Sequence, residues 1–140
     1  MPTQAPDTML PHAAPQSRDQ RLMLFAIRRI AVGGLDDAHA AHAFLIAFGR
    51  SFRRPLLLTR ALMAEVSRVS ATRILVAPCC CPRATAHEAG LLDAITAAIQ
   101  DPRGAHDRLA AMLNVRHCLG AITSAQAVAQ AFADLGRPIG

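Results

Sequence analysis

Apolar residues recur at helical spacing in six stretches of this chain, and almost every stretch is opened by a capping residue and closed by Gly, Asn or Pro. That punctuation leaves few folds open. A first helix is expected from Ser17 to about Val32, with Ser17 as N-cap and Gly33-Gly34 as the stop. Its apolar face holds Leu22, Met23, Ala26, Ile27 and Ile30, while Arg18, Arg21, Arg28 and Arg29 share the other side. A second helix runs from Asp36 or Asp37 to Gly49 around Phe44, Leu45 and Phe48. A third starts at Ser51 or at Pro55 and reaches about Ser70; Leu58, Leu62, Val66 and Val69 form its stripe, opposite Arg53, Arg54, Arg60 and Arg68.

The second half is punctuated more sharply. Thr85-Ala86-His87-Glu88 fits the capping box, in which hydroxyl and carboxylate each satisfy a backbone amide near the other; that helix ends near Gln100. Asp101-Pro102 opens a fifth helix that stops at Asn114. Thr123-Ser124-Ala125-Gln126 reads as a second capping box for a last helix ending at Gly136. Between the halves, residues 73–78 read as one extended, buried connection, a lone strand having no sheet to join. Residues 1–16, rich in Pro, Ala and Gln, read as a flexible tail. The expected fold is therefore all-α: one domain over 17–140 with about six helices.

Charge adds one asymmetry. All fifteen basic residues are Arg, and residues 18–73 carry ten of them against four acids, whereas 74–140 are balanced. A basic helical face at Arg53, Arg54, Arg60 and Arg68 suits an acidic protein or other polyanion. Specific DNA binding is disfavoured. Pro55 falls inside the would-be reading helix, and aromatic residues for stacking on bases are scarce. No apolar run approaches a membrane span and no secretory signal pattern is present, so a cytoplasmic protein is expected.

Chemistry concentrates at Cys79-Cys80-Cys81. Thiolates bind soft metals, so zinc or iron held by Cys79, Cys80, Cys81 and His87 is one reading, although no second cysteine pair follows at finger spacing. A reactive thiol is another: Cys81 precedes Arg83 and a helix N-terminus, which lower a thiol pKa, and His87 is a conceivable base. Small side chains filling a buried turn are the third. His39 and His42 lack the spacing and the intervening acid of a helical zinc-protease site. Gly-rich phosphate loops and Gly-x-Ser-x-Gly are absent, and a catalytic role is not expected.

The segments 21–29 (RLMLFAIRR), 52–56 (FRRPL), 78–83 (PCCCPR) and 132–138 (FADLGRP) resemble a small Ala/Arg-rich bacterial family of unknown function, with the Cys-Cys-Cys-Pro-Arg run as the most specific part. The resemblance implies no activity. Two functions stay open: a non-catalytic binding or regulatory module using the basic face, and a thiol-based metal or redox protein centred on the cysteine run.

Overall fold

A computed structural model describes residues 10–140. It contains six α-helices: α1 (Arg18–Gly33), α2 (Ala38–Phe48), α3 (Arg53–Val69), α4 (Ala86–Ala97), α5 (Pro102–Leu113) and α6 (Leu119–Asp134). Two short strands, β1 (His12–Ala13) and β2 (Arg83–Ala84), pair antiparallel. The fold is an all-α single domain.

The caps act as the sequence implies. Ser17 accepts from the Gln20 amide at 3.4 Å and Asp37 from the Ala40 amide at 2.9 Å. Thr85 and Glu88 complete their reciprocal box, and Asp101 with Pro102 opens α5. Gly34 and Asn114 close α1 and α5 at φ of 92° and 56°, in the left-handed half of backbone space that Gly and Asn tolerate best.

Three expectations change. The last helix begins at Leu119, so Thr123 to Gln126 lie within it; five more residues, 119–123, join because Ala121 and Ile122 have a core face to fill. The third helix begins at Arg53, between the two expected starts; Pro55 is buried in its first turn, as the Ser51 start had it, where a missing amide costs nothing. And Arg28, placed with the exposed arginines by periodicity, is buried at 2% exposure.

One core holds the bundle together. Met23, Ile27, Phe44, Leu62, Val66, Leu91, Ile95, Leu109, Leu113, Val128 and Phe132 are all buried in it. α3 lies along α6, and α4 along α5. Phe44, Phe48 and Phe132 form a ring cluster with centroids 5.0–6.0 Å apart, two of its three contacts edge-on. The C-terminal segment locks onto this cluster. Arg137 sits 5.1 Å over the Phe48 ring, donates to the Ala47 carbonyl at 2.6 Å and pairs with Asp19 at 2.6 Å.

Residues 73–78 form no regular element. Ile74 and Val76 pack on the core, Ala77 is buried, and Arg73 and Leu75 face solvent. The connection is thus half-buried with a period of two. The expected tail is described only from Leu10 onward, residues 1–9 lying outside the described residues; His12–Ala13 pair with β2, and Ala14 donates to the Pro82 carbonyl at 2.9 Å.

Candidate functional site

The cysteine run sits in the loop between the 73–78 connection and β2, and that loop is built around a buried ion pair. Arg28, on α1, and Glu88, in the first turn of α4, are 2% and 0% exposed. Arg28 Nε donates to Glu88 Oε2 at 2.7 Å and Nη2 to Oε1 at 3.1 Å. The guanidinium also donates to the Cys81 carbonyl at 2.9 Å and to the Arg83 carbonyl at 2.7 Å. Glu88 in turn accepts from the amides of Ala77 at 3.0 Å and Thr85 at 2.9 Å. Two opposite charges taken out of water hold their position only when such hydrogen bonds saturate them. Here the saturating groups are the backbone on both sides of the cysteines, so the pair fixes the loop.

Within that frame, Pro78 to Cys81 close a turn through the Cys81 amide and the Pro78 carbonyl at 3.0 Å. The turn brings the Cys79 and Cys80 sulfurs to 3.6 Å. Cys80 is exposed; Cys79 and Cys81 are partly so. The run borders a cleft of about 460 Å³ with Arg21, Phe25 and Arg28. Hydrogen bonding to Cys80, and then burial, push the Cys79 thiol above the usual thiol range, while the charges of Arg29 and Arg28 pull the other way.

The structure separates what the sequence grouped. His87 turns away from the run, its Nδ1 accepting from the Leu75 amide at 2.8 Å. Among the described residues no three of His, Cys, Asp and Glu converge as a metal-binding group. The features expected to activate Cys81 are also engaged elsewhere. Arg83 donates to the Leu10 carbonyl at 3.0 and 2.9 Å, and the α4 N-terminus is closed by its own box. Cys118 is buried at the start of α6, its amide donating to His106 Nε2 at 3.1 Å; burial, and then Asp107, raise its pKa. His39 and His42 are both exposed on α2.

On the basic face, Arg54 pairs with Asp134 at 2.7 Å and Arg68 with Glu65 at 2.5 Å. Arg60 lies 3.9 Å from Asp36, and Arg53 stacks 5.9 Å over the Phe52 ring. Much of the face is therefore neutralised locally.

Periodicity missed the Arg28–Glu88 pair because Arg28 lies about 100° round the helix from Ile27, outside the stripe that runs from Leu22 to Ile30. Leu24, four residues earlier and buried, was the available signal.

A family model described as a family of unknown function (DUF6628) matches residues 1–136. No curated protein and no solved structure gives a match. Among the described residues, no helix is long and apolar enough to cross a membrane.

Proposed function

We propose that this chain, which belongs to the DUF6628 family of unknown function, is a thiol-based redox protein centred on the Cys79–Cys80 pair. The observation that carries the reading is the 3.6 Å approach of two accessible sulfurs on a loop anchored by a buried ion pair. A disulfide between neighbours is strained: adjacent Cα atoms lie about 3.8 Å apart, against about 4.4–6.8 Å in ordinary disulfides. Strained, exposed disulfides are readily reduced, which suits reversible oxidation better than a structural bridge.

The oxidant is a low-molecular-weight disulfide of the glutathione class. Exposed Cys80 loses its proton to solvent and attacks one sulfur, forming a mixed disulfide and releasing one thiolate, which takes up a proton. Deprotonated Cys79 then attacks the Cys80 sulfur and expels the second thiol. Two protein thiols become one disulfide, and the external disulfide becomes two thiols. A zinc or iron reading has less support, since a structural zinc site needs about four ligands and the turn brings two sulfurs together.

Phenylarsine oxide, which condenses with paired thiols and releases water, tests the pair directly. One adduct per chain is expected, lost in Cys79→Ser and Cys80→Ser and retained in Cys81→Ser and Cys118→Ser. With oxidised glutathione, wild type should lose two free thiols without retaining glutathione, and Cys79→Ser should keep it on Cys80. An adduct that depends on Cys81, or a persistent mixed disulfide on wild type, would overturn the reading.

The basic-face reading keeps one supporting observation. Arg50, Arg53 and Arg54 border a cleft of about 350 Å³ beside Leu135. It requires an acidic partner retained at low salt and released within the range where screening acts.

A further inference from the structure

The connection at 73–77 has one satisfied edge and one open one. The Leu75 amide donates to His87 Nδ1 at 2.8 Å, and the Leu75 carbonyl accepts from Thr85 Oγ1 at 2.7 Å. The Ala77 amide donates to Glu88 at 3.0 Å. Side chains at the start of α4 therefore play the part of a neighbouring strand for residues 75 and 77. In an extended chain the peptide groups of alternate residues point to opposite edges. Those of Ile74 and Val76 accordingly face away from α4, and among the described residues they have no backbone hydrogen bond. Beside this segment lies an apolar cleft of about 440 Å³ lined by Ile30, Leu35, Met63, Ile74 and Val76. Leu75, between the two open peptide units, is 45% exposed, and Leu35 is 43% exposed. An unpaired apolar edge of this kind templates pairing with another chain.

We propose that the occupant of this edge is a second copy of the chain, paired antiparallel about a two-fold axis at Leu75. The apolar triplet Ile74-Leu75-Val76 keeps its character when reversed. Ile74 of one copy then faces Val76 of the other, and each such pair exchanges two hydrogen bonds, so all the open groups are used. Leu75 meets its own counterpart on the axis, at the closer, non-hydrogen-bonded spacing, and its exposed side chain is covered. Charge favours the same register: Arg73 falls opposite Ala77, so the arginines of two copies that each carry +5 stay apart, and residues 74–77 bear no charge. A parallel register would set Arg73 against Arg73.

Sedimentation over about 1 to 200 µM should show the 14.9 kDa monomer giving way to a dimer. Leu75→Lys places like charges on the axis and should weaken self-association at least about tenfold with an unchanged far-UV spectrum. Hydrogen exchange on wild type gives an independent readout, since the Ile74 and Val76 amides should gain protection as concentration rises. A protein that stays monomeric over that range, including one whose edge takes another protein's peptide instead, overturns the proposal. So does a dimer in which those two amides exchange as fast as in dilute solution.

Discussion

Arg28 and Glu88 together anchor the cysteine loop: the guanidinium ties α1 to α4 and to the carbonyls of Cys81 and Arg83, while the carboxylate holds the Ala77 amide on the other flank. Removing one partner of a buried pair leaves the other charge desolvated and alone. Glu88→Ala should therefore lower unfolding free energy by about 3–5 kcal/mol in urea titration, with Arg28→Ala in the same range. Thr85→Ala removes a cap worth about 1 kcal/mol and also frees the Leu75 carbonyl, so its loss should exceed that of an ordinary cap. If either member of the buried pair is replaced with little cost, the loop is not anchored as described. The thiols add a pH prediction. Since the Cys79 pKa is raised, thiolate is scarce at neutral pH, and closure of the disulfide should accelerate as pH rises into and beyond the usual thiol range. Stopped-flow thiol loss with oxidised glutathione measures this, and a rate flat with pH would contradict it.

At the level of elements, α6 works by smallness. Ala121, Ala125 and Ala129 are buried along it, allowing it to lie close to the core. Ala125→Leu should overpack that contact and cost about 1–3 kcal/mol, with repacking seen as broadened core methyl signals. The end of α5 makes a contrasting prediction. Asn114 already occupies the left-handed region, so Asn114→Gly should be tolerated, whereas Asn114→Val should destabilise the domain by about 1–2 kcal/mol. Equal stabilities of the two variants would mean that the helix ends differently.

Across the molecule, three paired carboxylates, one of them the buried Asp37, should shape the acid limb of stability. Asp37 is held below the usual carboxylate range chiefly by the hydrogen bond from Arg29, Glu65 by that from Arg68, and Asp134 by those from Arg54 and then Gln130. A carboxyl whose folded pKa is depressed contributes stability that is fully present above its unfolded pKa and is lost as pH falls through the folded value. The melting temperature should therefore hold steady near neutrality and fall below the ordinary carboxylate range. Asp37→Asn should flatten that fall more than Asp36→Asn, because Asp36 is fully exposed and 3.9 Å from Arg60. An identical acid limb in both variants would remove Asp37 from the account.

Local signals, legible one helix at a time, determined most of the architecture: Ser17, Asp37, Thr85 and Asp101 start helices, Gly34 and Asn114 end them, and the apolar periods name much of the core. These choices rest on backbone groups within a few residues of each other, so no knowledge of the fold is needed to read them. Tertiary structure decided what depended on distant partners. It buried Arg28 against Glu88 sixty positions away, extended α6 back to Leu119, and brought His12–Ala13 beside Arg83–Ala84. The same holds for the cysteine run. Its composition suggested several chemistries, but which sulfurs meet, and that His87 faces Leu75 instead, follow from a loop shaped by one buried charge pair. A side chain's neighbours across the fold fix its protonation and accessibility, and periodicity along a helix carries no information about them.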